Sequence, residues 1–392
     1  MIAGIIGAAG YAGAELIRLL SAHSKITGLV LASVSKPGED ITVQYPNFLG
    51  SGRNSPLAKP GNAGTTLVTP EECITRSELV FGALPAGTGE NYAKACFEKG
   101  ISYIDLSADF RFDDDEECYR AWYGKPWLYP ELRKHSVYGL PELNREKIKT
   151  LAAAGTVIIG NPGCYPTAVS LACYPALSDT KIDRSGNTCI KTGSGNTGIK
   201  IGSGPIIADA ISGVTGAGRE PTRTNHFSEC SDSVSAYKVG AHRHTPEINR
   251  IIGTMAGKPV SVIFTPHLGP LNRGILATLY IPLDKQHNVS LKPQSAEITE
   301  KEKVIRNAYK SFYADEPFVR ILPAGITAAT NRVRQSNHCD ISVHLDHTGS
   351  TLIVISAIDN MVKGAAGQAI QNMNIICGFA ETEGLTALPA LF

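Results

Sequence analysis

Charge of one sign is what this chain lacks most plainly. Its 392 residues carry 37 Lys and Arg against 36 Asp and Glu, so no net field directs it to nucleic acid or to a membrane surface. No uninterrupted apolar run reaches membrane-spanning length. No basic segment followed by a long apolar stretch stands behind Met1, so no secretory leader is expected. The nine cysteines (Cys73, Cys96, Cys118, Cys164, Cys173, Cys189, Cys230, Cys339 and Cys377) are odd in number, scattered, and contain no C-x-x-C pair. That disfavours a disulfide framework and a structural zinc site, and predicts reduced thiols in a cytoplasmic protein, most of them packing residues. No internal repeat is present. A composition 43% hydrophobic and 19% charged suits two or three domains with real cores.

The first 160 residues alternate between strand-like and helix-like patterns. Ile2–Ile6, Leu29–Ala32, Leu79–Leu84, Ile101–Leu106 and Val157–Ile159 are short apolar runs, and Ala12–Leu20 and Asn91–Lys99 have helical spacing. Such alternation predicts an α/β domain of Rossmann type, with a mostly parallel sheet and helices on both faces. Ser35–Ala63 and Arg111–Lys134 interrupt it and read as surface excursions. From about Asn187 the strand-like runs Thr188–Thr192, Val234–Val239, Val260–Phe264 and Ile275–Ile281 lack regularly alternating helices. They predict an α+β second domain with a mixed, largely antiparallel sheet. Strand Thr351–Ile358 and helix Val362–Asn374 then return to the first domain. The expected division is 1–163 plus about 358–392 against 164–357.

The stretch richest in implied chemistry is Gly160-Asn161-Pro162-Gly163-Cys164-Tyr165-Pro166-Thr167. It joins an apolar strand to a helix-prone run. A thiol at such an elbow points above the strand's carboxyl end, and the first turn of the helix favours its nucleophilic thiolate. A lone cysteine is more often inert packing; the paired glycines and prolines that force an abrupt bend here favour chemistry.

A second signal is Gly7-Ala8-Ala9-Gly10-Tyr11-Ala12-Gly13, between the first strand and the first helix. Gly7, Gly10 and Gly13 permit a tight turn and close approach of a pyrophosphate, with Tyr11 and Ala12 presenting backbone at the helix N-terminus. The second strand ends in Ser33-Val34-Ser35-Lys36 with no carboxylate. Ser33, Ser35 and Lys36 suit the 2′-phosphate of NADP(H) better than the bare ribose of NAD. The alternative for Lys36 is a solvated loop lysine.

Other polar groups cluster. His242-Arg243-His244-Thr245-Pro246-Glu247 offers two imidazoles for proton transfer, His242 ranking first for its nearness to the strand-like run Val234–Val239. Glu247 either orients an imidazole or caps the helix after Pro246. The H-x-H pair could also ligate a metal, but partner ligands are lacking, and no metal is expected. Two loops, Thr192–Gly195 with Ser194 and Ser212–Arg219 with Ser212, Gly213 and Arg219, are rich in hydroxyls and N–H groups. They suit anionic oxygens or serve simply as turns. Asn360 and Lys363 either face the nicotinamide or substrate, or belong to a run of small residues that packs tightly.

The segments GAAGYAGAEL (7–16), DLSADFR (105–111), VYGLPELNR (137–145), GNPGCYPTA (160–168), SGVTGAGR (212–219), HRHTPEI (242–248) and IDNMVKGAAGQAIQN (358–372) occur together and in this order. In them the chain resembles the N-acetyl-γ-glutamyl-phosphate reductase family of the aspartate-semialdehyde-dehydrogenase-like group, over most of its length. The resemblance implies an NADPH-binding Rossmann-type domain, a catalytic and dimerisation domain, and a homo-oligomer (dimer or tetramer) that acts on a small acyl phosphate in arginine biosynthesis. It assigns the nucleophile to Cys164 and the acid/base to the segment of His242 and His244. Arg111, Ser194, Ser212, Gly213, Arg219 and Glu247 are expected near substrate. Gly7, Gly10, Tyr11, Ala12, Gly13, Ser33, Ser35, Lys36, Pro85, Asn360 and Lys363 are expected near cofactor. The chain departs from the family in extra residues around 36–63 and in Ala86, where the family commonly has His. A reductase of a related acyl phosphate, such as aspartyl phosphate or a carrier-bound aminoadipyl phosphate, and a non-catalytic dinucleotide-binding regulator are the alternatives.

Overall fold

The computed structural model describes residues 1–49, 64–177, 188–192, 195–284 and 296–391. Two compact units emerge. The first comprises Met1–Gly163, Ala217–Pro221 and Met361–Leu388. Its sheet contains β1 (Ile2–Ile6), β2 (Gly28–Ala32), β3 (Leu79–Gly82), β4 (Ser102–Asp105), β5 (Ser136–Tyr138) and β6 (Ile158–Gly160). All pairings are parallel, in the order β2-β1-β3-β4-β6-β5. Parallel strands covered on both faces become continuous apolar runs, and every residue of β2 and β3 is buried. The helices are α1 (Tyr11–Ser21), α2 (Ile41–Gln44), α3 (Pro70–Arg76), α4 (Gly89–Glu98), α5 (Glu116–Tyr123) and α6 (Pro141–Ala154), with α11 (Gly367–Ile376) near the chain's end. In α1 the buried Leu16, Ile17, Leu19 and Leu20 form the apolar stripe that its sequence predicts.

Arg111–Lys134 lies largely at the surface, as expected, but it carries an interior pair: Arg133 is buried, ion-paired to Glu90, and flanked by the rings of Phe110 and Trp127.

The second unit, Cys164–Gly216, Thr222–Asn360 and Pro389–Phe392, is built on a seven-stranded mixed sheet. The chain first forms a hairpin, β7 (Thr188–Thr192) with β8 (Gly195–Ile201). The sheet itself takes β9 (Ile206–Ser212), β10 (Ser235–Ala236), β11 (Val262–Leu268), β12 (Ile275–Pro282), β13 (Val319–Ile321), β14 (Cys339–Leu345) and β15 (Thr351–Ile358). Their order is β10-β11-β9-β12-β15-β14-β13. Burial alternates along β9, β11 and β12, the mark of a sheet with one covered face. Helices of this unit are α7 (Cys164–Leu177), α8 (Phe227–Cys230), α9 (His244–Ala256) and α10 (Ala296–Phe312).

The helix α7 that begins at Cys164 is buried on nearly all sides and packs on α9, β12 and β15. A helix apolar all round has to be a core helix. Pro175 lies within it and has no N–H to return to the carbonyl four residues earlier. That carbonyl, Leu171 O, accepts instead from the Tyr313 hydroxyl at 2.6 Å, and Ala172 O accepts from Tyr309 at 2.9 Å. Ser356 donates to Ala168 O at 2.9 Å. The helix carrying the thiol is thus held by side-chain bonds along its length.

In the first unit the run after Met361 opens as a π-turn, Val362–Ala366, before α11. Its Lys363 is fully buried: Nζ donates to Glu142 at 2.6 Å and to Gln371 at 2.7 Å. Gln371 in turn donates to Glu381, which also accepts two bonds from Arg145. Lys363 is therefore an internal tie between α6, the π-turn and the tail. Breaking a buried pair by removing one partner typically costs about 3–5 kcal/mol. Lys363→Met should lose stability of that order in urea unfolding, Lys363→Met with Glu142→Met should regain most of it, and NADPH affinity of folded protein should hold. A stable Lys363→Met variant with lost NADPH affinity would support the cofactor role.

Candidate active site

In the first unit the glycine loop leaves β1 as a backbone cradle. Gly7 has φ +89°, a left-handed conformation that favours glycine. A Cβ on Gly13 would stand 2.3 Å from Gly7 O, so helix and loop pack at a distance only glycine allows. The α1 N-cap is Gly10, without a side-chain cap, and the first turn holds no acidic residue. The first-turn N–H groups, which have no intrahelical acceptor, are left for an anion. Ser33, Ser35 and Lys36 follow β2: Ser33 is buried and accepts from Lys36 N, Ser35 and Lys36 are exposed, and Lys36 pairs with Glu39 at 3.6 Å. Pro85, after β3, is exposed. Its loop is tied down where Gly87 N and Gly89 N donate to the two oxygens of buried Asp109 at 2.6 and 2.8 Å. Burial, and then the Asp109 charge, push the neighbouring Asp105 carboxyl above the usual carboxylate range. These residues fit a dinucleotide: glycines where phosphate must approach, free N–H groups, and hydroxyls with a cation where an NAD site would have a carboxylate.

The elbow after β6 is over-determined. A Cβ on Gly160 would meet Phe110 O at 2.0 Å. Asn161 donates from its backbone to Asp105 O at 2.8 Å and from its side chain to Ala365 O at 3.1 Å. It accepts from Asn372 at 3.3 Å and, at its own carbonyl, from Arg111 Nε at 2.8 Å. Three residues later Cys164 opens α7, partly buried.

In the second unit an aromatic box surrounds His242. Ring centroids of Tyr165, Tyr237, Phe264 and His244 lie 5.6, 5.4, 5.6 and 4.9 Å from its own. Tyr237 donates to the Tyr165 oxygen at 3.2 Å, and Tyr165 donates to His267 O at 3.1 Å. Burial is the main cause that pushes both phenols up, Tyr237 to about 12, and the charge of Cys164 adds to each. Thiol, phenols and imidazole therefore form one neighbourhood. Burial, and then the nearby charges of Lys238 and Arg243, lower His242 to about 4. Its Nδ1 accepts from His244 N at 3.1 Å, so the neutral ring carries its proton on Nε2 and presents a donor there. Tyr165, Tyr237 and Phe264 are absent from the sequence expectations. Tyr165, beside Cys164, was open to suspicion; Tyr237 and Phe264 are brought in only by sheet pairing.

A family model described as semialdehyde dehydrogenase, NAD binding domain, matches residues 2–151, and one described as semialdehyde dehydrogenase, dimerisation domain, matches 199–360. The N-acetyl-gamma-glutamyl-phosphate reductase of Clostridium botulinum (strain Eklund 17B / Type B) is 44% identical over 99% of both chains. That of Brachyspira hyodysenteriae (strain ATCC 49526 / WA1) is 43% identical over the same share. The chain belongs to the N-acetyl-gamma-glutamyl-phosphate reductase family. Among solved structures, aspartate semialdehyde dehydrogenase II complexed with ASA from Vibrio cholerae superposes with a TM-score of 0.63 at 14% identity, covering 96% of this chain and 98% of its own. Aspartate semialdehyde dehydrogenase with NADP from Candida albicans gives 0.57 at 14% identity, with the same coverage. Both carry the two-domain fold of this reductase family.

Several sequence-predicted contacts turn out to be braces. Arg111 is buried and donates to Asn161 O and Leu106 O, so it holds the elbow. Asn360 is buried, accepts from Gly274 N at 2.7 Å and donates to Thr215 at 3.0 Å, which pins a loop. The Gly213 N–H is spent on Gly274 O, and a Cβ there would touch the backbone of Asn272 and Arg273. Ser212 is buried and donates to Gly213 O. Glu247 is buried in the first turn of α9, and Ser194 lies outside the described residues. Arg219 is exposed and sits in the first unit against Ala9 and Gln44. No group of three metal-ligating side chains occurs among the described residues.

A histidine whose folded-state pKa is depressed stabilises the fold above its ordinary value of ~6.5, and that contribution disappears as pH falls through about 4. Nitrogen NMR of the imidazoles should find His242 neutral, with its proton on Nε2, from pH 8 down to about 5. A His242 resonance titrating near ~6.5 would contradict the buried, donor-presenting ring.

Proposed function

We infer that this chain reduces N-acetyl-glutamyl 5-phosphate to N-acetyl-glutamate 5-semialdehyde with release of phosphate, the NADPH-dependent step of arginine biosynthesis. The observation that carries the reading is Cys164 at the first position of a buried helix, beside the Tyr165, Tyr237 and His242 cluster, in a chain whose relatives bear the name of this reaction. The Cys164 sulfur attacks the acyl carbon, the carbon–oxygen bond to phosphate breaks, and a thioester remains. NADPH supplies a hydride when bound. Reduction of the thioester leaves negative charge on the former carbonyl oxygen, where the Nε2–H of His242 donates a hydrogen bond and can lend its proton. Collapse expels the thiolate and frees the aldehyde. Oriented donors of this kind contribute ~3–4 kcal/mol in other acyl-transfer enzymes. His242 is the better donor than His244 because its tautomer is fixed and its ring is enclosed. Gly7, Gly10, Tyr11, Ala12 and Gly13 hold the pyrophosphate; Ser33, Ser35 and Lys36 hold the 2′-phosphate; Pro85 lines the cofactor. The relatives' shared name supports the acetylated glutamyl substrate over aspartyl or carrier-bound alternatives.

The dimerisation model over 199–360 supports a homo-oligomer. The outward face of the second unit's sheet supports a dimer formed there: Ile207 pairs across to Ile263 and Tyr280, and all three are 37–51% exposed. Apolar side chains aligned on one open face are the kind of patch that a partner covers. Nine scattered cysteines with no C-x-x-C pair suit a reducing compartment such as the cytoplasm.

Two measurements test this reading. Run backward, the protein should form NADPH from N-acetylglutamate semialdehyde, phosphate and NADP⁺ in a phosphate-dependent way, and Cys164→Ala should abolish turnover while NADPH still binds. Activity on aspartate semialdehyde alone would transfer the chemistry to another substrate, and an active Cys164→Ala variant would remove the thioester. For the assembly, Ile263→Glu should shift the light-scattering mass to that of a monomer; an unchanged mass would place the interface elsewhere.

A further inference from the structure

The segment Ser212–Arg219 leaves β9, turns through the short helix Val214–Ala217, and passes Gly218 at φ +90°. Nothing stands within 4 Å of a Cβ at Gly218, so the glycine serves its backbone angle and not packing. The next residue, Arg219, belongs to the first unit, with Ala217–Pro221. Its Nη1 donates to Ala9 O, within the glycine loop, at 3.1 Å and also to Gln44 Oε1. Its guanidinium lies over the Tyr45 ring, 4.9 Å from the centroid, and the Tyr45 hydroxyl donates to the same Ala9 O at 3.0 Å.

Two features separate this arginine from an ordinary surface cation. It has no carboxylate partner among the described residues, whereas Lys36 has Glu39. The Tyr45 platform and the Ala9 carbonyl fix its plane, while most of its five N–H donors stay available. Tyr45 comes from the stretch following α2, whose N-cap Asp40 accepts from Thr42 and Thr65, so the platform is itself anchored.

We propose that Arg219 is a ligand for a phosphate of the dinucleotide, held above the glycine loop by Tyr45 and Gln44, and not a contact to the acyl phosphate. Gln44 and Tyr45 thereby acquire a role, because they set the arginine's position. The inference rests on the glycine loop being the cofactor's seat. Either the pyrophosphate or the 2′-phosphate supplies the anion that the fork recognises.

Equilibrium fluorescence titration of NADPH and NADH into wild type, Arg219→Ala, Arg219→Lys and Tyr45→Ala tests it. Arg219→Ala should weaken NADPH binding about tenfold, or about 1.4 kcal/mol, with unchanged thermal unfolding because the side chain is exposed. Arg219→Lys keeps the charge without the planar fork and should fall between, and Tyr45→Ala should show a smaller loss of the same kind. A loss confined to NADPH identifies the 2′-phosphate; equal losses for both cofactors identify the pyrophosphate. Unchanged affinity for both, with or without a raised KM for the acyl phosphate, overturns the proposal. Wild type that binds neither cofactor would bring down the glycine-loop reading itself, a result distinct from any difference among variants.

Discussion

The constraint on which the site depends is the clamp on the residues before Cys164. Gly160 has no space for a side chain, and Asn161 is bonded through its backbone N–H, its carbonyl and both side-chain polar atoms. Two residues then remain, Pro162 with its fixed φ and Gly163, before the sulfur-bearing residue begins α7. The wall of the clamp is made by DLSADFR, through Asp105, Phe110 and Arg111, and by the last helical segment, through Ala365 and Asn372. Segments remote in sequence thus meet at one asparagine. The π-turn matters here because a widened turn changes the carbonyl pairing near Ala365, whose oxygen receives Asn161.

Much of this was legible beforehand where one residue type has one physical use. Glycines at 7, 10 and 13, strands β1 to β4, and the elbow followed from turn sterics and apolar runs. Strand β5, only Ser136–Tyr138, was hidden at the start of VYGLPELNR because three residues carry no period. β9 and β14 were also missed, and the run Val234–Val239 forms only the two-residue edge strand Ser235–Ala236.

Polar residues were the harder class. Lys363, Asn360 and Arg111 have side chains suited to ligands, and each also has an internal partner. A sequence shows a lysine but not the glutamate, 221 positions away, that accepts from it. Arg219 shows the converse: the arginine was visible, but the loop beneath it was not, because its partners Ala9 and Tyr45 come from other parts of the chain. Burial cuts the same way at His242, where enclosure by Tyr165, Tyr237 and Phe264 makes a neutral donor of a residue whose ordinary pKa gave no preference.

The central claim is that the acyl group passes through the sulfur of Cys164. Rapid mixing of the protein with N-acetylglutamate semialdehyde and NADP⁺, with phosphate left out, tests it most directly. The account predicts a burst of about one NADPH per chain, since acylation proceeds and release stalls, with the acyl mass on the peptide containing Cys164. Phosphate-dependent turnover without a burst, or an adduct on another cysteine, would contradict it.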